Sequence, residues 1–537
     1  MYLKNLFSEE NLKNIVLKLN GEAEVFFRKS SIKKPIIHKK GSVLVNKTYN
    51  ENGERKSIPE EQYTEIYKYL NSIGTNELSE KSKKLMEEGK VEYYKANYDI
   101  VKDYRYSVDK FFIHLPMTIN FKAAGFSPIN NIALKNIALK DDMHIIGIDR
   151  GERNLIYVSV IDTKGNIVEQ RNFNIVNGID YKEKLKQKEL DRDNARKNWK
   201  EIGKIKDLKE GYLSLVVHEI AKLVVKYNAI ITMEDLNQGF KRGRFKVERQ
   251  VYQKFETMLI NKLNYLVDKD LAVDQEGGLL RGYQLTYIPE SLKVLGRQCG
   301  YIFYVPAAYT SKIDPTTGFV AIFNYKGMTD KDFVTSFDSI KYDDERGLFA
   351  FEFDYENFVT HKVEMARNKW TVYTYGERIK RKFKNGLWDT AEKVDLTYQM
   401  RSILEKYEIE YNKGQDILEQ IEELDEKAQN GICKEIKYLV KDIVQMRNSL
   451  PDNAAEDYDA IISPVINNNG EFFDSTRGDE DKPLDADANG AYCIALKGLY
   501  EVMQIKKNWN EETEFPRKEL KIRHQDWFDF IQNKRYL

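Results

Sequence analysis

The sequence predicts an α/β protein built around a mixed β-sheet. From His144 onwards, three apolar runs are separated by a charged turn and a Lys-Gly-Asn turn, which is typical of a three-stranded antiparallel meander. A helical pattern, a buried strand and a second helical pattern follow, so the order is βββ-α-β-α. A long stretch, first aromatic-rich and then acidic, precedes a final helix. We therefore expect a sheet core that is split in sequence and carries an inserted α+β domain.

Two features precede the meander. Between Arg28 and Lys47 there are seven Lys or Arg residues and no acid, which makes a local basic patch. Residues 52–98 are polar and helix-prone, and we interpret them as an insertion. Their apolar residues recur at helical spacing: Tyr63, Ile66, Tyr67 and Leu70.

The elements after the meander follow from periodicity. With Asp207 as the N-cap, apolar residues at three- to four-residue steps predict an amphipathic helix that ends near Asn228. The run AIITMED is then a buried strand, a second helix covers about 248–267, and residues 300–310 form a further strand. The motif DADANGAY opens the final helix.

Composition limits the classes of protein. The chain has 537 residues and is 42% hydrophobic, which suggests roughly three or four domains. With 85 basic and 85 acidic residues, the net charge alone gives no reason to propose a nucleic-acid or membrane partner. The three cysteines, Cys299, Cys433 and Cys493, never form a CxxC pair, which argues against a disulfide framework and a structural zinc site. No signal peptide or long apolar run is present, so we expect a cytoplasmic protein without membrane contact.

Three acids stand where a fold could unite them. Asp149 closes the first strand, Glu234 closes the strand after the crossover helix, and Asp487 opens the last helix. A meander that continues through a helix to a parallel strand is the RNase H-like arrangement, which places such acids side by side. Phosphodiester hydrolysis needs an activated water and a stabilised leaving oxygen, and two divalent cations supply both. Hard cations prefer carboxylate oxygens, so we expect two Mg²⁺ ions, with Mn²⁺ as a substitute.

The spacing leaves alternatives open for each acid. Asp149 could be a turn residue before Arg150, Asp235 competes with Glu234, and Asp485 competes with Asp487 as the cap of the last helix.

Four long motifs then resemble a known family. The segments GIDRGERNLIYVSVID, MEDLNQGFKRGRFKVERQVYQKFETMLINKLNYLV, QMRNS and DADANGAYCIALKG closely resemble the split RuvC motifs and the nuclease-insert motif of type V-A CRISPR RNA-guided effector nucleases. The resemblance implies that the catalytic, metal-binding acids are Asp149, Glu234 and Asp487. It also implies that Arg447, in QMRNS, assists cleavage from the inserted domain.

The resemblance implies a domain order. The expected parts are the C-terminal part of a β-rich wedge domain that binds the guide handle (1–140, with the insertion near 52–98), RuvC segment I (141–190), the bridge helix (191–206), RuvC segment II (207–310), the inserted Nuc domain (311–482) and RuvC segment III (483–537). The chain would then begin inside the wedge domain, with an N-terminal recognition lobe as a missing partner. Cys493 departs from the family, where a histidine is common.

A second active site is implied in the basic patch. The segment RKSSIKKPIIHKKGSVLVNK resembles the part of the family that processes the guide precursor, with His38, Lys47 and Lys102 as the processing residues. Metal-free RNA cleavage needs a proton acceptor for the 2′-hydroxyl, a donor for the leaving oxygen and cations for the phosphate. From the residues alone, His38 is a loop histidine and the lysines form a solvated face.

Further cations are expected to follow nucleic-acid backbones. They are Arg192, Arg196 and Lys197 in the bridge helix and Lys241, Arg242, Arg244 and Lys246 in KRGRFKVERQ, while Trp199 is expected to dock into the recognition lobe.

The function implied is RNA-guided cleavage of both DNA strands through one RuvC site, with guide-precursor processing. The expected partners are the guide CRISPR RNA, target double-stranded DNA and single-stranded DNA, and the complete effector is expected to be a monomer in a prokaryotic cytoplasm. Two alternatives remain: an RNA-binding assembly fragment that is inactive without the recognition lobe, and a resolvase- or transposon-type RuvC nuclease.

Overall fold

The computed structural model divides the chain into two compact units, Val16–Asn120 and Met1–Ile15 with Phe121–Leu537. It describes residues 8–13, 15–19, 21–51, 54–74, 77–102, 104–121, 126–150, 154–185, 187, 191, 205–235, 246–268, 270–272, 274–278, 281–323, 327–358, 365–384, 387–450, 458–513 and 515–533.

The smaller unit is a series of nested strand pairs. Each early strand pairs with a late one: β1 with β10, β2 with β9, β3 with β8, β4 with β7, and β5 with β6. The four inner pairs are antiparallel. After the short helix α1 (Glu9–Leu12), the strands are β1 (Ile15–Leu19), β2 (Glu24–Arg28), β3 (Ile36–His38), β4 (Val43–Val45), β5 (Thr48–Glu51), β6 (Glu54–Ser57), β7 (Tyr93–Lys95), β8 (Ile100–Lys102), β9 (Lys110–His114) and β10 (Met117–Phe121).

The insertion predicted near 52–98 contains two helices, α2 (Glu60–Leu70) and α3 (Glu80–Glu87). Ile66 of α2 is fully buried and packs with Val45 of β4, while the other apolar residues of the predicted stripe lie around this small core. The prediction of a helix from that stripe is confirmed.

A six-stranded mixed sheet forms the centre of the larger unit, in the order β13-β12-β11-β16-β18-β17. Its first three strands are the predicted antiparallel meander, and β16 and β18 are parallel to β11. The strands are β11 (His144–Asp149), β12 (Tyr157–Ile161), β13 (Ile167–Asn172), β16 (Ala229–Glu234), β17 (Gln298–Cys299) and β18 (Ile302–Val305), with a separate pair β14 (Ile175–Val176) and β15 (Ile179–Asp180).

Helices bury both faces of this sheet. One core contains Ile146 and Ile231 with residues of α5 (Ile205–Lys226) and α6 (Lys246–Asn264). The other core contains Ile145 and Ile230 with residues of α4 (Phe126–Leu139), α11 (Ala486–Asn508) and α12 (His524–Gln532). Because β11 and β16 are covered on both sides, they are continuous apolar runs rather than alternating ones.

Helix α11 lies unusually close to the sheet. A Cβ atom on Gly147 of β11 would come within 2.1 Å of the carbonyl oxygen of Ala491, and a Cβ on Gly490 would come within 2.4 Å of Asp149 Oδ2. Only glycine permits this approach, which brings the first turn of α11 against the end of β11.

The predicted inserted region has its own hydrophobic core. Its elements are α7 (Asp330–Thr335), β19 (Ser339–Asp343), β20 (Leu348–Asp354), β21 (Lys369–Tyr373), β22 (Glu377–Lys384), β23 (Leu387–Asp395), α8 (Leu396–Lys406), α9 (Ile417–Glu422), α10 (Glu426–Ile443), β24 (Arg447–Ser449), β25 (Asp459–Ile466) and β26 (Phe472–Asp474).

Three local predictions need correction. Helix α5 includes Asp207, so that residue is not the N-cap; an acid near a helix start is compatible with the helix dipole. The strand within 300–310 is only Ile302–Val305, because the following residues form a loop beside the sheet end. Helix α11 is not the last, since α12 follows and buries Trp527 and Phe528.

Among the described helices, none could cross a membrane.

Candidate active site

Two of the predicted acids lie at the carboxyl ends of adjacent parallel strands. Asp149 ends β11 and Glu234 ends β16, and the residues before them, Ile148 and Met233, are paired in register. Neighbouring strands lie about 4.8 Å apart, so the two acids are neighbours at the carboxyl ends of two central strands. Asp149 is 8% exposed and Glu234 is half-buried.

The third acid enters from the first turn of α11. Asp485 is the N-cap, and its Oδ1 accepts a hydrogen bond from the Ala488 amide at 2.7 Å. Burial raises the pKa of Asp485 to about 6. Asp487 is fully buried. Its negative charge and that of Glu234 both raise the pKa of Asp149, so the three acids lie close together. The acid that caps the helix and the acid that faces Asp149 are therefore different residues.

Both oxygens of Asp487 are held. Its Oδ2 accepts from the Asn154 amide at 2.7 Å and from Asn154 Nδ2 at 3.1 Å. Asn154 is itself fixed, because its Oδ1 accepts from Asn174 Nδ2 at 2.8 Å. The Oδ1 atom of Asp487 accepts from Arg447 Nη2 at 2.9 Å.

Arg447 bridges two carboxylates. Its Nε and Nη2 donate to the two oxygens of Asp459 at 3.0 and 2.8 Å, a bidentate pair that fixes the guanidinium plane. Ser449 also donates to Asp459. Arg447 therefore connects the inserted region to Asp487 on α11, which lies 40 residues further along the chain. Sequence reasoning did not find Asp459, which lies outside the four motifs, or Asn154, which lies within GIDRGERNLIYVSVID but received no role there.

Glu234 is positioned by the loop after β18. Thr310 Oγ1 lies 2.8 Å from Glu234 Oε1 and can donate to it. Lys497 of α11 holds this loop, because its buried Nζ donates to the carbonyls of Pro306 and Ala308 at 2.7 and 2.6 Å. Burial lowers the pKa of Lys497 to about 8, while attraction to Glu234 opposes that change.

The site carries excess negative charge. Burial raises the pKa of the Asp149 carboxyl well above its usual range, and repulsion from Glu234 and Asp487 raises it further. The guanidinium groups of Arg150 and Arg447 act in the opposite direction. Cations bound between these carboxylates would relieve the repulsion.

The donor set fits hard divalent cations. All three candidate ligands offer carboxylate oxygens, which suit Mg²⁺ and Mn²⁺ better than zinc. Within the part of the chain that is described, no three His, Cys, Asp or Glu side chains surround one ion position. Magnesium usually takes one or two protein carboxylates and completes its shell with water and substrate phosphate, so pairs among these acids are sufficient.

A cavity of about 400 Å³ adjoins the site. The loop after β18 contributes Thr310, Ser311 and Lys312, and the inserted region contributes Gln445 and Arg447. Thr310 and Arg447 are also the partners of Glu234 and Asp487, so the cavity opens beside the carboxylates and presents two cationic residues there.

The site and the sheet together define a class of protein. The sheet is mixed, with a meander followed by parallel strands, and two of the acids end adjacent parallel strands; this is the nuclease core of the RNase H-like class. Comparison with known families agrees: the model of the RuvC nuclease domain matches residues 123–536. The chain belongs to the RuvC nuclease domain family. It therefore has the RNase H-like α/β fold and is a nuclease, a hydrolase of a family that generally uses divalent metals.

All three residues predicted for RNA processing lie in the smaller unit. His38 ends β3 and pairs with Ile100, while Lys102 ends the antiparallel β8 and pairs with Ile36, and the Lys102 ammonium acts electrostatically on the His38 ring. The Tyr67 hydroxyl lies 3.3 Å from His38 Nδ1, and the Tyr67 ring stacks on Tyr63. Lys47 Nζ lies 4.7 Å from the centre of the Tyr63 ring. Helix α2 therefore contacts His38 and Lys47.

The remaining predicted nucleic-acid contacts are not placed. Arg192, Arg196, Lys197, Trp199, Lys241, Arg242 and Arg244 lie outside the described residues, and Lys246 is described only as the first residue of α6.

Proposed function

We propose that the chain is the nuclease lobe of a type V-A CRISPR effector, which cuts both strands of an RNA-guided DNA target through one RuvC site. The observation that carries the proposal is the convergence of Asp149, Glu234 and Asp487 with Arg447. These residues come from four distant segments, each of which resembles a motif of that family. The proposed partners are the guide CRISPR RNA, target DNA and a recognition lobe.

The side chains have separate tasks in this proposal. Asp149, Glu234 and Asp487 would hold two Mg²⁺ ions, for which Mn²⁺ could substitute, and the bound metal would supply water activation and stabilisation of the leaving oxygen. Asn154 orients the Asp487 carboxylate, and Thr310 orients that of Glu234. Arg447 lies 2.9 Å from Asp487 Oδ1 and would neutralise charge that develops on a phosphate bound there.

Single-stranded DNA is the proposed immediate substrate. The cavity beside the carboxylates is bordered by Lys312 and Arg447, whose charges favour a phosphate backbone. Guide pairing would separate the target strands before either one reaches this site. The complete effector is proposed to be a monomer in a prokaryotic cytoplasm.

The test is cleavage of end-labelled single-stranded DNA by the purified chain with Mg²⁺ and a matching guide RNA, with and without the recognition lobe. Asp149→Ala should lower the rate on the order of a thousandfold or more. Asp235→Ala, which removes the neighbouring acid, should retain most of the activity. Unchanged cleavage by Asp149→Ala would show the proposal to be wrong.

The same assay separates the two rivals. Cleavage that requires the added recognition lobe identifies an assembly-dependent fragment. Cleavage of branched DNA without any guide identifies a resolvase- or transposon-type nuclease.

A second activity, processing of the guide precursor, is favoured by two observations: Lys102 acts electrostatically on His38, and His38 and Lys47 both contact helix α2. We propose that His38 takes the proton of an RNA 2′-hydroxyl as its oxygen attacks the adjacent phosphorus. The phosphorus–O5′ bond then breaks, a lysine ammonium gives a proton to the leaving oxygen, and the products carry a 2′,3′-cyclic phosphate and a 5′-hydroxyl. No metal is needed for this sequence.

Precursor RNA incubated in EDTA tests this activity. The wild-type chain should cleave it, His38→Ala should not, and His114→Ala, which removes an exposed histidine of the same unit, should behave as wild type. Cleavage by His38→Ala at the wild-type rate would contradict the assignment.

A further inference from the structure

Helix α2 lies against two of the three proposed RNA-processing residues. We propose that Tyr67 of this helix is a positioning residue for His38: its hydroxyl accepts a hydrogen bond from Nδ1–H, which leaves Nε2 as the nitrogen that takes the substrate proton. The catalytic part of this inference rests on the proposed RNA-processing function. The structural part, the state of the His38 ring, does not.

The geometry of the pair supports a defined ring orientation. Tyr67 Oη lies 3.3 Å from His38 Nδ1, and the two rings meet edge to face with centroids 6.2 Å apart and planes at 71°. His38 is 9% exposed, so few other groups can compete for Nδ1. A tyrosine hydroxyl both donates and accepts, and the role it takes here fixes the tautomer of the imidazole.

Tyr67 is held on a rigid support. The preceding residue, Ile66, is fully buried, and the Tyr67 ring stacks on the ring of Tyr63, one helical turn earlier. The carbonyl of Tyr67 accepts from Asn71 Nδ2 at 2.9 Å. Asn71 also exchanges hydrogen bonds with the amide and carbonyl of Val43, at 2.7 and 2.8 Å, which fixes the end of α2 to β4.

The chemistry requires one tautomer. A base needs a free lone pair on the nitrogen that meets the substrate, so the other nitrogen must carry the proton. If Nδ1–H donates to Tyr67, then Nε2 has that lone pair. Burial lowers the pKa of His38, and the Lys102 ammonium on β8 lowers it further, which favours the neutral ring that can act as a base.

The same helix face also holds Lys47. Its Nζ lies over the Tyr63 ring and 3.1 Å from both Glu60 oxygens, so α2 contacts both the proposed base and a proposed phosphate-binding cation. The insertion is therefore part of the proposed site, because its helix α2 contacts the side chains of His38 and Lys47 and orients them.

The structural part is tested without RNA. In the full chain labelled with ¹⁵N-histidine, the His38 signal is identified by its loss in His38→Gln. The wild-type ring should show Nδ1–H when neutral, and Tyr67→Phe should shift it towards Nε2–H. Tyr69→Phe is the matched control, since Tyr69 lies on the same helix and is 41% exposed; its spectrum should equal the wild type. An unchanged His38 signal in Tyr67→Phe overturns the inference.

The catalytic part is tested with a precursor RNA that carries two guide repeats, in EDTA. Tyr67→Phe should lower kcat by about three- to tenfold, which corresponds to one hydrogen bond, with little change in KM. A wild-type chain that does not cleave the precursor contradicts the RNA-processing proposal, while the ¹⁵N spectra still decide the tautomer. A wild-type chain that cleaves, with Tyr67→Phe equally fast, contradicts the positioning role alone.

Discussion

The carboxylate site of the larger unit and the His38 site of the smaller unit are built in different ways. The carboxylates come from three segments that together span more than 300 residues, and Asp149 and Asp487 are both buried. His38, Lys47 and Lys102 lie within one short stretch, and the Lys47 side chain is 59% exposed. The first site depends on the whole nuclease fold, whereas the second depends on a local strand pair and one helix.

The difference follows from the charges that each site concentrates. Three carboxylates placed together need a buried framework of donors, here Asn154, Thr310 and Arg447, to hold them against repulsion. In the proposed RNA-processing site the phosphate would supply its own negative charge, and the two ammonium groups, on Lys47 and Lys102, are exposed to solvent. Each prediction below tests this contrast.

Removal of divalent metal should produce the largest difference between the activities of the two sites. In EDTA, DNA cleavage should fall on the order of a thousandfold or more, because water activation and leaving-oxygen stabilisation are both lost. Processing of precursor RNA should stay within about twofold, since its proton transfers use side chains. Parallel gel assays on one preparation measure both rates. Equal sensitivity to EDTA would contradict the contrast.

Loss of Asp459 should damage only the carboxylate site. Asp459→Ala leaves the nearly buried Arg447 without its bidentate partner, which should lower the free energy of unfolding by about 3–5 kcal/mol. DNA cleavage should fall with it, while RNA processing should be retained. Asp479→Ala is the control, because it removes an exposed ion pair with Lys482 and should cost less than about 1 kcal/mol. Denaturant titration of both variants measures the difference.

The pH dependence of stability should reveal the repulsion at Asp149. Its pKa is raised in the folded chain, so its contribution to stability is complete below the ordinary aspartate pKa of about 3.9 and is lost as pH rises through the folded value. In EDTA at pH 7, Asp149→Asn should therefore melt at a higher temperature than wild type, by roughly 1 °C for each kcal/mol gained, because the entropy of unfolding grows with the size of the unit. The gap should close towards pH 4. A constant gap across this range would contradict the charge explanation.

The smallest effect is expected at Glu60. The exposed pair with Lys47 contributes less than about 0.5 kcal/mol, so Glu60→Gln should barely change stability. It should, however, release the Lys47 ammonium for phosphate and raise RNA affinity roughly twofold at low ionic strength, an effect that salt removes. Binding titrations at two salt concentrations measure this. A gain that persists at high salt would point to another cause.

The sequence predicted the parts of the fold that have strong local periodicity. The meander, the buried strand that ends at Glu234 and the helix around Ile66 are all confirmed, because apolar spacing and turn residues determine them locally. The N-cap at Asp207 and the length of the 300–310 strand were wrong, because the ends of elements depend on packing that a local pattern does not contain.

The candidate site was predictable in its three acids and in Arg447, which lies against Asp487. Asp149, Glu234 and Asp487 are the residues that the motifs indicate, and their functional assignment stays a prediction. The residues that support these side chains are Asn154 and Lys497, which lie inside the first and last motifs, and Thr310 and Asp459, which lie outside all four motifs. A single polar residue has no periodic signal, so only the folded chain shows the roles of these four.

The nested strand pairs of the smaller unit have a consequence for how it folds. The β5–β6 hairpin closes the shortest loop, and each pair outside it then joins ends that the inner pairs have already brought closer. Since the entropy of closing a loop increases with its length, we expect the ladder to form from β5–β6 outwards. The outermost pair, β1 with β10, would close last, so segments that precede β1 and follow β10 would be brought together only when the unit is complete.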